Sequence, residues 1–389
     1  MVRSGYVLDD VAYMTTITRQ FGEFLEREKA GGIILLACTV VSLLLANSPA
    51  GGYYLRLWQW APGGHQPAYW INDGLMTVFF LLIGLELKRE LLRGELASRR
   101  KALLPAVAAI GGMAVPALLY TLLNYGTPLR GGAGIPVATD IAFSLAVLSL
   151  LGKRVPVSLK VFLTAFAVID DLGAVVVIAL FYRGTLSLIH LGLSAGLFIL
   201  LLVMNRLKVR ALSLYVAGGV LLWYGMLHSG IHATLAGVLL AFTMPDGDEH
   251  APAPRLERFL NRPVAFIVLP LFALANTCLV LRGDWFTGLG LTSSIGIMLG
   301  LAVGKPLGIV LSSYAAVKTR ACQLPAGIDW RLLTGAGMLG GVGFTMSIFI
   351  ALLAFREPAL VDSAKMAILA GSALSGILGY SWLRANAAV

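Results

Sequence analysis

Apolar residues run in long blocks separated by short polar ones. The blocks fall near 31–47, 71–88, 102–123, 133–151, 156–182, 186–205, 211–227, 230–244, 263–281, 289–316, 331–354 and 362–384. Most approach the roughly 20 residues that an α-helix needs to cross a bilayer. The pattern predicts an all-α polytopic membrane protein of about twelve transmembrane helices. The tightest boundary lies between the seventh and eighth blocks, where His228-Ser229-Gly230 leaves a very short turn. Residues 1–30 stand apart as a polar to amphipathic segment. Within it, Thr16 to Lys29 can form an interfacial helix with Ile17, Phe21, Phe24 and Leu25 on one side. Residues 31–389 are expected to form one transmembrane domain.

Composition agrees. The 389 residues are 58% apolar and 13% charged, against roughly 25% charged in a soluble domain. The 44 glycines suit close helix packing and broken helices in lipid. The net charge of +10 resembles a nucleic-acid footprint, but its distribution excludes one. The basic residues sit in short clusters between apolar blocks, as topology signals do. With the N-terminus placed in the cytoplasm, roughly 22 Arg and Lys fall inside and about 5 outside, with Lys160, Lys305 and Lys365 within blocks. The outside set is Arg56, Arg130, Arg183, Arg282 and Arg356. Both termini are therefore expected on the cytoplasmic side. No cleavable signal peptide is evident. Cys38, Cys278 and Cys322 lie far apart and read as packing residues.

Two loops are long. Ser48 to Trp70, on the outside, is rich in Tyr and Trp, which reads first as an interfacial aromatic belt and alternatively as a hairpin that pairs with a second subunit. Met244 to Pro263, on the inside, separates two halves of the chain.

Two blocks carry interruptions. The fourth contains Gly134-Ile135-Pro136-Val137-Ala138-Thr139-Asp140, and the eleventh contains Gly340-Gly341-Val342-Gly343-Phe344-Thr345-Met346-Ser347. Pro and Gly interrupt helices, with Gly134, Pro136, Gly341 and Gly343 as the expected break residues. An interrupted helix survives at membrane depth only when buried in protein or lining a cavity. Two of them at corresponding positions point to a transporter built from inverted-topology repeats, here 102–182 and 289–384, whose discontinuous fourth and eleventh helices cross.

The charges inside the blocks carry the chemistry. Asp170 and Asp171 stand together in an apolar block. One such charge costs about 3 kcal/mol on insertion scales. Helical neighbours point about 100° apart, so one is expected to face an aqueous cavity and the other a protein partner. Asp140 lies in the broken fourth helix, and Lys305 in Gly304-Lys305-Pro306 of the tenth. Where two broken helices cross, paired N-termini are positive and paired C-termini negative. Asp140 can offset the first and Lys305 the second, which competes with giving Lys305 wholly to Asp170. Glu86, Lys88, Arg89 and Glu90 end the second block, and Asp73 starts it; most read as a solvated helix end. A cluster of titratable groups there can also sense pH, and His232 is the histidine most suited to a role. Gly335-Ala336-Gly337-Met338-Leu339-Gly340 matches a dinucleotide fingerprint literally, but it follows no strand and is rejected. No metal cluster, phosphate loop or nucleophile motif is present, and no cofactor is expected.

Seven stretches stand out together: Trp70-Ile71-Asn72-Asp73, Phe80-Leu81-Leu82-Ile83-Gly84-Leu85-Glu86, Ala138-Thr139-Asp140-Ile141-Ala142-Phe143, Ile169-Asp170-Asp171-Leu172-Gly173-Ala174, His232-Ala233-Thr234-Leu235-Ala236-Gly237, Gly304-Lys305-Pro306-Leu307-Gly308 and Gly343-Phe344-Thr345-Met346-Ser347. At these residues the chain resembles the NhaA family of bacterial Na⁺/H⁺ antiporters. The resemblance implies electrogenic exchange of cytoplasmic Na⁺ or Li⁺ for more than one external proton across the bacterial inner membrane, regulating internal pH and sodium. It places the ion on Asp171, with Asp140 and Thr139 close by, and pairs Asp170 with Lys305. It makes Glu86, His232 and Glu257 pH-sensing candidates and implies a homodimer joined partly by Ser48–Trp70. Around Glu257 the chain departs from the family pattern, reading Glu257-Arg258-Phe259-Leu260-Asn261-Arg262-Pro263 without histidine.

The residues also suggest a mechanism. A desolvated carboxylate beside a second carboxylate favours its protonated form. Na⁺, a hard cation, needs the same carboxylate ionised, so each ligand expels the other. A sodium-coupled symporter on the same fold is the main alternative. An intramembrane aspartyl protease is a more distant one, because its G-x-G-D signature is missing here and a catalytic dyad needs no lysine.

Overall fold

A computed structural model describes residues 29–61, 64–248, 250–281 and 285–387. The expected interfacial helix at 16–29, Lys29 excepted, and Arg282 lie outside them. Among the described residues the chain is helical, with no strand. Nine helices among the described residues are long and apolar enough to cross a membrane: Lys29–Ala46, Pro67–Leu92, Arg99–Leu123, Val157–Phe181, Leu188–Arg206, Leu212–Ser229, Pro252–Asn276, Thr292–Lys318 and Pro358–Asn386. Two further spans are helix pairs, each bent by 45°: Pro128–Val137 with Ile141–Leu150, and Trp330–Gly340 with Phe344–Ala354. The block expected at 230–244 holds the nine-residue helix Leu235–Thr243. At 1.5 Å per residue that reaches about 14 Å, roughly half the hydrocarbon core.

Burial separates the centre of the bundle from its edge. Of the apolar window in Val157–Phe181, which carries Asp170 and Asp171, 61% is buried, against 11% in Leu188–Arg206. The edge helix leaves Leu188, Ile189 and Leu193 exposed, as a lipid-facing surface requires. The centre is built from two sets of three spans, each with a broken member between unbroken ones. The sets meet where Arg99–Leu123 lies along Lys305–Lys318. A Cβ added at Gly111 would come within 2.5 Å of the Gly308 carbonyl oxygen, and one at Gly308 within 2.1 Å of that of Gly111. Only glycine on both sides permits this approach.

Three sequence expectations change. The fourth block breaks at 138–140, and Gly134 and Pro136 lie before it in a 3₁₀ helix, Pro128–Val137. Asp140 sets the break by starting the next helix as its N-cap. Gly134 instead admits Tyr182, whose hydroxyl accepts from the Gly134 N–H at 3.1 Å and donates to the Gly131 carbonyl at 2.8 Å. Second, more than half of the inside loop 244–263 is helix, Pro252–Pro263. Pro252 occupies the first helical position, where its missing N–H costs nothing. Pro263 is carried inside the span, next to a π-helical turn, Val264–Val268. Third, the long loop Ser48–Trp70, read first as an aromatic belt, holds a helix, Gly51–Gln59. Tyr54 and Trp58, one helical turn apart, meet edge to face at 6.0 Å. The Tyr54 hydroxyl bonds the Leu274 carbonyl at 2.9 Å. Tyr53, Trp60 and Trp70 stay exposed.

Candidate functional site

The two breaks lie against each other. The Asp140 N–H donates to the Val342 carbonyl at 2.7 Å. The Thr139 hydroxyl donates to the Gly340 carbonyl at 2.7 Å, and that of Ser347 to the Ile135 carbonyl at 2.7 Å. The half-helices Ile141–Leu150 and Phe344–Ala354 thus both begin at the crossing. Their N-termini share one carboxylate. Asp140 Oδ1 accepts from the Phe143 N–H at 3.0 Å, and Oδ2 accepts from the Thr345 N–H at 3.2 Å and the Thr345 hydroxyl at 2.5 Å. An anion at two helix N-termini offsets both positive dipole ends and satisfies N–H groups that have no intrahelical partner. Gly343 and Phe344 direct their N–H groups to the Ser372 hydroxyl at 3.2 and 3.1 Å.

Lys305 serves both of the roles that competed in the sequence. It is fully buried, as is Asp170, and its Nζ lies 2.7 Å from Asp170 Oδ2. The same ammonium donates to the carbonyl of Val137, the last residue of the first half-helix. It therefore neutralises a carboxylate and a helix C-terminus together. A π-helical turn, Gly300–Gly304, directly precedes it, a feature that recurs at functional sites. The second half-helix C-terminus uses hydroxyls: Thr139 binds the Gly340 carbonyl and Ser144 the Leu339 carbonyl at 2.8 Å.

Asp171 faces the other way, as helical geometry requires. It lines a cavity of about 70 Å³ shared with Asp140, Thr139, Thr345 and Glu86. That is room for a few water-sized groups. Asp171 is 2% exposed, and its Oδ1 has no hydrogen-bond partner. Thr139 commits its proton to Gly340, so its oxygen lone pairs remain available. Among the described residues no group of three or more His, Cys, Asp or Glu is gathered to hold a metal ion. A cation here would meet the carboxylates together with neutral oxygens.

The charged end of Pro67–Leu92 differs from the solvated reading. Lys88 is buried and donates to the carbonyls of Ala241, Phe242 and Met244, closing the C-terminus of Leu235–Thr243. Sequence could not show this, because those carbonyls belong to a distant segment. Arg89 pairs with buried Glu257 and lies 3.3 Å from Glu90. Glu86 lines the Asp171 cavity. His232 lies apart from both: its Nδ1 is 2.9 Å from the Thr234 hydroxyl, and its Nε2 3.7 Å from Asp73 Oδ1. Ser372 and Ser144 are site-building residues that drew no attention as single serines in apolar blocks.

Crossed broken helices with buried carboxylates, in a multi-pass membrane protein, define the class of secondary ion transporters. The sequence profile of the family Na⁺/H⁺ antiporter 1 matches residues 22–383. The chain is 53% identical over 370 residues to Na⁺/H⁺ antiporter NhaA 1 of Flavobacterium johnsoniae, covering 95% of this chain and 97% of the relative. It is 53% identical over 375 residues to Na⁺/H⁺ antiporter NhaA of Dechloromonas aromatica (95% and 96% covered). It is 49% identical over 376 residues to Na⁺/H⁺ antiporter NhaA of Escherichia coli (93% and 97% covered). The chain belongs to the Na⁺/H⁺ antiporter family NhaA.

Proposed function

We propose that this chain exchanges Na⁺, and Li⁺, for protons, with Asp171 as the main ion ligand and Asp140 and Thr139 beside it. The observation that carries the reading is the buried Asp171 oxygen without a hydrogen-bond donor, in a cavity it shares with a second carboxylate. A buried carboxylate oxygen must be protonated, paired or bound to a cation. Proton and Na⁺ exclude each other at Asp171. Rocking or sliding of one part of the bundle against the other then converts competition into exchange. Family membership sets aside the symporter and protease alternatives, and no cofactor enters the scheme.

Electrogenic exchange needs a second proton. Protonating Asp140 would weaken the charge-assisted cap that two helix N-termini share, whereas the Asp170–Lys305 pair can change its proton count by parting one contact. We assign the second proton to that pair. Residues 102–182 and 289–384 act as inverted repeats in a single transmembrane domain, 31–389. Glu86 at the Asp171 cavity, Glu257 paired with Arg89, and His232 beside Asp73 are the pH-sensing candidates. The inside clusters of Lys and Arg support an inner-membrane protein with both termini cytoplasmic. The exposed aromatics of Ser48–Trp70 support a homodimer contact.

The test is a vesicle assay with a pH dye, challenged in turn with Na⁺, Li⁺ and K⁺. Na⁺ and Li⁺ should move protons and K⁺ should not. Proton movement that ignores Na⁺ would refute the reading. Charge movement per Na⁺ should fall in Lys305→Ala if the second proton rides on the pair.

A further inference from the structure

A second, larger cavity of about 1010 Å³ lies toward the other end of the bundle. Arg130, Arg183 and Arg356 all line it, together with Tyr182 and His232, and it reaches Val137, whose carbonyl holds Lys305. Among the described residues no Asp or Glu lines it. All three arginines are exposed, and among the described residues none has a carboxylate within ion-pair distance. They are three of the five basic residues that the charge bias leaves on the outside face.

Helix dipoles explain two of them singly. Arg183 and Arg356 follow the C-termini of Val157–Phe181 and Phe344–Ala354, where a cation is favoured. Arg130 is opposite. It sits in the first turn of Pro128–Val137, where the dipole opposes a positive charge. Nor does any dipole explain why three arginines share one cavity on a transporter of cations. A guanidinium fork matches the oxygens of a phosphate group, and several converging forks make an oxyanion site.

We propose that this cavity binds a phosphate-class oxyanion, and that its occupation raises the supply of cations to the transport path from that side. The second half rests on the exchange reading above. Three positive charges with no carboxylate partner among the described residues repel Na⁺ from the cavity and lower its local concentration. A bound phosphate group cancels that field. The group can be inorganic phosphate or the headgroup of an anionic phospholipid.

Two measurements on the full-length protein test this. Thermal unfolding is followed with inorganic phosphate or chloride at equal ionic strength, in the unmodified protein and in Arg130→Gln/Arg183→Gln/Arg356→Gln. Phosphate should raise the midpoint only with the arginines present. Arg130→Gln alone should weaken phosphate binding by about tenfold or more, which keeps the test open if the triple variant does not fold. Second, the KM for Na⁺ presented to the arginine side is measured in neutral-lipid vesicles, with phosphate on that side, and in vesicles containing phosphatidylglycerol. A fall of about threefold with phosphate assigns the site to the soluble ion, and a fall only with phosphatidylglycerol assigns it to the headgroup. Absence of both a midpoint shift and a KM shift overturns the proposal. An equal KM shift in the triple variant also overturns it, because that is general screening. An arginine-dependent midpoint shift in a protein that exchanges no Na⁺ would keep the site and refute the transport reading instead.

Discussion

The two broken spans face one backbone problem and meet it with different chemistry. Each interruption leaves N–H and carbonyl groups at a depth without bulk water. At 341–343 the partners are mostly neutral, with Asp140 Oδ2 reaching across to the Thr345 N–H. The Ser372 hydroxyl accepts from Gly343 and Phe344, and the hydroxyls of Thr139 and Ser144 donate to the Gly340 and Leu339 carbonyls. At 138–140 the partners are charged. Asp140 caps the helix start, and Lys305 holds the Val137 carbonyl. The second break thus closes its helix end with hydroxyls alone and its helix start with a hydroxyl and a borrowed carboxylate. The first break alone carries both a carboxylate and an ammonium, and the proposed ion ligand Asp171 lies on that charged side.

The sharpest way to break this contrast is Asp171→Asn. If the charged junction exists for ion exchange, Na⁺-driven proton movement should drop to background in vesicles. Folding should be spared, because the change removes a buried charge whose Oδ1 has no donor. Retained exchange would move the ion site elsewhere and leave the charges at 138–140 unexplained.

Lys305→Ala should have the next largest effect. It leaves the Asp170 carboxylate and the Val137 carbonyl buried without their cation. Breaking a buried pair from one side costs about 3–5 kcal/mol. The unfolding midpoint should fall accordingly, and Lys305→Ala/Asp170→Ala should recover most of the loss. If the double variant is as unstable as the single one, Lys305 acts chiefly on the helix end and not on Asp170.

Asp140→Asn tests the shared cap. The amide oxygen can still accept from one helix N-terminus, so the fold should persist. The charge is lost, and a charge-assisted contact contributes about 1.5–3 kcal/mol. The KM for Na⁺ should therefore rise about tenfold or more. An unchanged KM would reduce Asp140 to a structural cap and make the two junctions equivalent.

Much of this contrast was readable in the chain. The Asp pair, the Gly-rich eleventh block and Lys305 all violate the cost of charge or glycine in lipid, and such violations are visible without coordinates. What stayed hidden depends on tertiary neighbours. The break at 138–140 falls after Gly134 and Pro136 because Asp140 caps a new helix there. Lys88 read as solvated because its acceptors at 241–244 come from a helix more than 150 positions away. The helix Pro252–Pro263 was masked by its charges and prolines, though its burial of Leu256 and Leu260 is helical in spacing. Ser372 and Ser144 gave no signal, because a lone serine in an apolar block costs little and packs in many ways.

Ser372→Ala addresses the neutral junction and should disturb transport least. It removes the acceptor for two buried N–H groups, Gly343 and Phe344. An unsatisfied buried donor costs about 1–3 kcal/mol, so a lower unfolding midpoint is expected. The Asp140 contacts to Thr345 do not involve Ser372 and should hold the start of Phe344–Ala354 in place. The KM for Na⁺ should then stay within about twofold, a difference well under the 1.4 kcal/mol that a tenfold change requires. The comparison thus reduces to one pair of measurements: Asp140→Asn should shift KM more than stability, and Ser372→Ala should shift stability more than KM. If Ser372→Ala instead raises KM as much as Asp140→Asn does, the second junction is also part of the ion site, and its hydroxyls belong with the carboxylates as ligands.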